Sequence, residues 1–460
     1  MQHITTYHNL IISLAFTLLS SCVADSSEPL PGRDVEPTHT HMENTTPGTQ
    51  EEPPYPLSHV GPTDTGLLID VLDAQIQSHQ QRLQSQGDNP SWLEHQSIAT
   101  AYIHRARYTQ NWQDWDTANH HIEQAFTLAI EGSGPFLTRA TLNFSLHKFP
   151  EAETDLDRAL NKIIIQNQEK SDILSRKAEL AFQRGELQRT HDLLTQAEQL
   201  HTSATIKVQQ GNLAFKTGDL ERARTLIDEA ISLVDPDDTS LLAWVTLQRG
   251  VLELESGHIK EANAFFLKAN IHFTGWFLIE EHLAETFAIL GHHHTARTMY
   301  EDIISRVPAA TFIEALAESC EALHDDTCAN TQRQLAKNTY FKDLNDHPQS
   351  AYGHAMDFFL QQEDTTLMLD IAQKNYDLRP GFDPATKLAQ AHIRAGQLAQ
   401  AQPLIESALD AGWSTAELHA TAATLYTLLK NKEKAEQQQS LAQSRNPESM
   451  ADISWLVPVQ

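Results

Sequence analysis

Small residues recur at one place in the apolar pattern of this chain. Ala118, Ala152, Thr190, Ala223, Ala262 and Ala296 stand 34, 38, 33, 39 and 34 residues apart. Ala401 follows after 105 residues and Ala435 after another 34. The long gap is about three units wide, which leaves room for two degraded copies. Around each anchor, apolar residues fall at i, i+3 or i+4, the spacing of an amphipathic helix. In the fourth unit Gly211, Ala214, Gly218, Ala223, Ile227, Ala230 and Asp235-Pro236 mark two helices and their breaks. The sixth repeats the scheme as Leu283, Ala284, Phe287, Gly291, Ala296, Tyr300, Ile303 and Pro308. The last reads Ala423, Tyr426, Ala435, Ala442 and Pro447. Small side chains let two helix backbones approach where they cross. A mid-unit glycine permits the left-handed turn that ends the first helix, and proline stops the second. The pattern therefore predicts an all-α stack of antiparallel helix hairpins, each burying its apolar face on the next.

At these positions the chain resembles the tetratricopeptide repeat family, over roughly residues 90–450. Clear copies cover about 171–200, 204–237, 277–309, 382–410 and 416–448. Thr190 replaces the usual alanine, and His147 stands where a turn glycine is common. The hairpin of Trp112 and Trp115 has a longer connection, and residues 310–380 match poorly. The resemblance implies a right-handed α-solenoid of about ten repeats. It also implies a concave groove, lined by the first helix of each hairpin, in which peptides lie. Matched positions name Asn212, Phe215 and Lys216 in the fourth copy, and Trp244, Leu247 and Val251 in the fifth. Leu278, Glu281 and Glu285 follow in the sixth, and Gln390 and Arg394 in the ninth. Asn212 and Lys216 offer donors for a peptide backbone or terminal carboxylate. The apolar members suit packing between repeats equally well.

The N-terminus changes the setting. Leu10–Leu19 is an apolar run too short for a membrane-spanning helix, which needs about 20 residues. It ends in Leu19-Ser20-Ser21-Cys22, which resembles the bacterial lipoprotein lipobox. That resemblance implies a signal peptide over 1–21 and a lipid anchor on Cys22. An ordinary secretory signal with an incidental cysteine is the alternative. Val23 rather than Asp follows the cysteine, so the resemblance points to the outer membrane, facing the periplasm. Residues 22–66 form a linker with Pro29, Pro31, Pro37, Pro47, Pro53, Pro54, Pro56 and Pro62, rich in acids and poor in apolar side chains. Such a composition buries too little surface to offset its ordering entropy. Residues 67–89 are expected to form a capping helix. Residues 90–450 form the array, degenerate over 310–380, and 451–460 form a tail in which Trp455-Leu456-Val457 serves as a cap or a docking element.

Charge narrows the partners. The chain carries 61 acidic and 33 basic residues, a net charge of −28. Nucleic acid is disfavoured, because its binding needs Lys/Arg clusters that release counterions. The membrane is reached only through the anchor, while basic or neutral peptides and proteins suit such a surface. Acidity that serves solubility alone is the competing reading. Three cysteines occur, and with Cys22 assigned to lipid, Cys320 and Cys328 remain as a disulfide pair or two separate thiols. No HExxH, GxSxG, GxxxxGK[ST] or GxGxxG motif is present, so neither an enzyme nor a cofactor is expected. The 24 histidines are the compositional anomaly. His39 and His41 lie in the linker, His120-His121 on a helix, and His292-His293-His294 in a turn, where neighbouring imidazoles offer weak metal ligands. The combined expectation is a non-catalytic, lipid-anchored scaffold that binds proteins or peptides in the bacterial envelope. The alternative is a histidine-rich, metal-handling lipoprotein.

Overall fold

The computed structural model describes residues 61–459 apart from 88–89, 131 and 163–164. Residues 1–21, Cys22, the linker as far as residue 60, and His39 and His41 lie outside the described residues. The described chain is an all-α solenoid. Helix α1 (Asp64–Ser85) leads into ten hairpins, formed by α2 (Trp92–Thr109) and α3 (Trp112–Leu128), α4 (Phe136–Ser145) and α5 (Phe149–Leu160), α6 (Asn167–Gln183) and α7 (Leu187–Leu200), α8 (Ala204–Lys216) and α9 (Leu220–Leu233), and α10 (Thr239–Glu255) and α11 (Ile259–His272). They continue as α12 (Phe277–Ile289) and α13 (His293–Arg306), α14 (Ala310–Ala322) and α15 (Asp326–Asp346), α16 (Pro348–Leu360) and α17 (Thr365–Leu378), α18 (Phe382–Arg394) and α19 (Leu398–Asp410), and α20 (Ala416–Leu428) and α21 (Lys432–Arg445). A short α22 (Ser449–Asp452) follows.

Nine of the ten hairpins are held by two small residues twelve positions apart. The anchor on the second helix faces a partner on the first, and in hairpin 4 the pair is Gly211 and Ala223. A Cβ on Gly211 would sit 3.3 Å from the Ala223 carbonyl and 2.9 Å from Ile227. Ala106, Ala140, Ala178, Gly250, Ala284, Ala389 and Ala423 hold the matching place elsewhere. The two copies missing from the periodic pattern are now located. Hairpin 7 has Ala317 and Ala329, whose match is obscured by the long α15, which delays the next unit. Hairpin 8 has Met356 and Met368, both buried, so its crossing is filled by flexible thioethers instead of small residues. Turn geometry follows the same register. Gly185, Gly218, Gly257, Gly291 and Gly396 have positive φ, and His147 adopts it too, at 57°, in the place where a glycine is common.

The helix boundaries have local causes. α1 begins at Asp64, three residues before the apolar patterning, because the Thr63 hydroxyl accepts the Gly66 N–H at 3.1 Å. Asp219, Asp238, Asp325, Asp364 and Asn431 cap second or first helices in the same way. Asp325 caps α15 directly after the turn that the Cys320–Cys328 disulfide spans.

The regular open groove expected along the first helices is absent, because the array curls until its concave face meets itself. The Ser414 N–H donates to the Lys216 carbonyl at 2.8 Å, joining hairpin 10 to hairpin 4. Arg445 Nη1 donates to the Gly218 carbonyl at 2.6 Å, and Asn446 Nδ2 to the Glu255 carbonyl at 3.4 Å. Trp112 stacks on His347 with centroids 3.5 Å apart, and the Ser350 hydroxyl donates to the Leu146 carbonyl at 3.2 Å. These contacts close hairpins 1 and 2 onto the α15–α16 region. At the N-terminal edge, Asp64 Oδ2 accepts from the Thr274 N–H at 3.0 Å and from its hydroxyl at 2.7 Å, docking α1 across the α11–α12 turn. At the other end Ile453 and Leu456 are buried, and the Val459 N–H donates to the Arg394 carbonyl at 2.7 Å, so the tail covers hairpin 9.

Gly250→Ala is expected to destabilise the fold. Alanine adds about 1 kcal/mol of helix propensity, yet its Cβ would lie 2.4 Å from the Phe266 ring. Overpacking of this kind costs about 1–3 kcal/mol, so the urea midpoint falls, and Phe266→Leu in the same chain restores it. Gly381→Ala tests the closure separately. Its Cβ would stand 2.5 Å from the Gln183 carbonyl oxygen, so scattering should report a larger radius while far-UV circular dichroism stays unchanged.

Candidate functional site

Closing the superhelix leaves a cavity of 180 Å³ at the seam between hairpins 3–5 and 8–10. First helices contribute most of its wall, because their inner faces now look at one another across the axis. Phe182 and Phe382 pack on Trp413, with centroids 5.5 and 5.4 Å apart, and Trp413 Nε1 donates to Asp383 Oδ1 at 3.1 Å. Phe215 and Lys216 stand on the α8 side.

The charges here are ordered into pairs. Lys216 Nζ lies 3.1 Å from Glu255 Oε2 and 3.4 Å from Asp383 Oδ2. Burial opposes its charge, but Asp383 and Glu255 outweigh burial and push its pKa up. Lys387 bridges Asp357 and Glu417, and Gln390 Nε2 donates to Glu417 Oε1 at 3.0 Å. Two cations break the scheme. Arg445 donates only to the Gly218 carbonyl and to Ser414 Oγ, and Arg379 donates to Asn375 Oδ1. Among the described residues no carboxylate lies at ion-pair distance from either. Arg379 is 4% exposed, and among the described residues its Nε has no partner. Burial lowers its pKa to about 10, with Asp383 opposing, so it stays charged at neutral pH. A buried, charged guanidinium with unused donors is built to receive an anion, and carboxylate is the geometry it fits best.

The structure separates the residues matched by the resemblance. Phe215 and Lys216 line the cleft, and Asn212 is half-buried on the same helix. Trp244, Leu247, Val251 and Leu278 are not a peptide-facing set. They are 4% exposed or less and belong to the main apolar core, although Leu278 also borders a second cavity, of 380 Å³, with Trp112, Trp115 and Tyr340. Glu281 and Glu285 are buried with them. Gln390 is fully buried, bonded to Glu417 and to Thr421 Oγ1 at 2.9 Å. Arg394 holds the tail instead of a partner, donating to the carbonyls of Trp455 and Val457 at 3.2 and 3.1 Å. His292, His293 and His294 start α13 and do not converge. Among the described residues, the group that brings three potential metal ligands together is Glu281, His282 and Glu285. Cys320 and Cys328 are joined as a disulfide. Arg379, Arg445, Phe382 and Trp413 were invisible to the repeat pattern, because hairpins distant in sequence bring them together.

The inner faces also bury carboxylates away from cations. Burial drives Glu281 well above the usual range, with Glu285 adding to it, and burial brings Glu314 to about 8. Glu179 on α6 is raised to about 7 by burial, despite hydrogen bonds from Gln183 and Gln209. Its folded pKa lies above its unfolded one, so the native state holds the proton more tightly. Stability from this group is full below pH about 4.5 and is lost as pH rises towards 7. Glu179→Gln should therefore match the wild type in chemical denaturation at pH 4.5 and exceed it at pH 8, by up to about 3 kcal/mol.

A tetratricopeptide repeat family model matches residues 384–407, within hairpin 9. No curated protein matches the chain. A tetratricopeptide repeat protein of Parabacteroides merdae is 17% identical, over 55% of this chain and 97% of that chain, at a TM-score of 0.34. Yeast Tom70 is 14% identical over 82% of this chain and 88% of that chain, at 0.43. A Rap protein complexed with competence and sporulation factor is 13% identical over 67% and 98%, at 0.42. Likenesses this distant carry no weight for function, and the assignment stands on hairpin geometry and the matched copy. Ten hairpins share one register and the ninth carries the family match, so the chain is an all-α array of tetratricopeptide-like hairpins.

Proposed function

We propose that this protein is a lipid-anchored scaffold of the bacterial cell envelope that captures a protein partner by a carboxylate-bearing segment, in first place a free C-terminus. A tetratricopeptide scaffold suits protein–protein interaction, and the seam cleft supplies the chemistry. Arg379 carries the reading as a buried cation, unpaired by any described carboxylate, on the wall of a cleft. Arg445 lines the same cleft, while Phe182, Phe382 and Trp413 offer an aromatic surface to the adjoining side chain. Lys216 and Lys387 are each held between two carboxylates, so neither competes for the ligand. Leu19-Ser20-Ser21-Cys22 supports the anchor, and the Cys320–Cys328 bond suits an exported chain, since disulfides persist in oxidising compartments. The strongly acidic body would draw basic or neutral partners to a cleft whose own contact is with one carboxylate. The role is binding, not catalysis.

The test is peptide binding by the full mature chain in detergent. A pool of peptides is presented with free and with amidated C-termini. Hydrogen bonds to a charged group contribute about 1.5–3 kcal/mol, so amidation should weaken capture roughly 10- to 100-fold. Arg379→Gln should erase that preference without altering the circular dichroism. Equal affinity for both peptide forms, or an unchanged preference in Arg379→Gln, overturns the cleft. Fractionation tests the anchor separately. Cys22→Ala should move the chain from the membrane to the soluble fraction, and continued membrane association would refute lipidation.

A further inference from the structure

Hairpins 6 and 7 repeat one pair of acids. Glu281 and Glu285 stand fifteen and eleven residues before Ala296, and Glu314 and Glu318 stand at the same distances before Ala329. In no other hairpin do both positions hold acids. All four lie on first helices, facing the closed interior. His282 joins them. Its Nε2 lies 3.3 Å from Glu281 Oε1 and its Nδ1 3.3 Å from Glu285 Oε2. The imidazole is held by stacking on Phe266, with centroids 5.0 Å apart and planes 14° apart. Glu281, His282 and Glu285 are at most 1% exposed, and one donor atom from each lies within 4.8 Å of the others.

His282 Nδ1 and Glu285 Oε2 share a hydrogen bond at 3.3 Å, but the remaining atoms do not. Both oxygens of Glu281, Oε1 of Glu285 and Nε2 of His282 have no hydrogen-bond partner among the described residues. Among those residues only His282 stands at ion-pair distance from either glutamate. Oε2 of the half-buried Glu318 is also unsatisfied, whereas Glu314 accepts from the Tyr340 hydroxyl at 2.8 Å. Two carboxylates and an imidazole thus converge in the closed interior with four of their polar atoms unsatisfied among the described residues.

We propose that Glu281, His282 and Glu285 form a binding site for a divalent transition cation. The chemistry of the donors narrows the ion. One imidazole nitrogen with carboxylate oxygens suits zinc, manganese, iron(II) or cobalt, whereas calcium takes six to eight oxygens. Bonds of about 2.0–2.2 Å to a shared tetrahedral ion set donor atoms about 3.4 Å apart; here one donor from each residue lies within 4.8 Å of the others, a set that an ion held by one imidazole nitrogen would draw closer. The site is enclosed by packed helices, so the ion enters as the chain folds, and binding and folding are coupled. It is separate from the seam cleft and does not depend on the peptide reading.

The full chain is expressed in medium supplemented with zinc, or with cobalt, and its metal content is measured after extensive dialysis. One equivalent per chain is expected. Glu281→Gln and Glu285→Gln, which keep side-chain volume, should each weaken binding by more than about 100-fold, beyond the loss an outer partner causes. Replacing His292, His293 and His294 together by alanine should leave the content unchanged. X-ray absorption of the wild-type zinc form should show one imidazole among oxygen donors, a readout that stands even if a glutamine variant fails to fold. Absence of retained metal overturns the site. So does metal lost with the His292–His294 triple variant, or a spectrum with several imidazoles.

Discussion

Everything in this molecule depends on how closely two helices of a hairpin can approach. The small pairs, Ala106 with Ala118 or Gly250 with Ala262, bring backbones together and fix each crossing angle within a narrow range. Because nine of the ten hairpins are built on such a pair, each adds a rotation of the same sense to the stack. These steps accumulate into a curl tight enough for hairpins 3–5 to meet 8–10. Where the pair is replaced by Met356 and Met368, flexible side chains fill the crossing and the stack continues.

Closure transforms the chemistry of the inner face. An open solenoid would leave the polar residues of its first helices in water, where their charges cost little. In the closed one they are desolvated, and each must be paired, neutralised or left in want of a ligand. Lys216 and Lys387 take the first course, held by Glu255, Asp383, Asp357 and Glu417. Glu179 takes the second, its proton retained towards neutrality. Arg379 takes the third, while the group of Glu281, His282 and Glu285 combines the last two, since burial raises Glu281 and its oxygens stay unsatisfied among the described residues. Both arise from a single cause, the removal of water from a surface patterned with charge.

The repeat was legible in the chain because its signal is local. Anchors such as Ala223 and Ala401 owe their identity to a helix crossing within their own hairpin, so periodicity alone exposes them. The turn residues are local too, which is why His147 marks its turn while departing from glycine. Hairpins 7 and 8 were obscured for equally local reasons, a long second helix in one and methionines at the crossing in the other. Of the cleft, only Phe215 and Lys216 were reached from the pattern, since matched positions locate an inner face without saying what lies opposite. Trp244, Leu247 and Val251 share that face and lie in the core.

The sequence by itself determined the hairpin, its period, its capping and the inward orientation of each first helix, all consequences of interactions within about 40 residues. Only the tertiary structure decided that the inner faces meet. Curvature is a sum of small rotations over the whole array, and no single unit encodes where that sum closes. Contacts such as Ser414 with Lys216, or Arg445 with Gly218, join residues roughly 200 positions apart. Their partners are chosen by geometry accumulated along the stack, and so are the two places where a buried charge is left waiting for its counterpart.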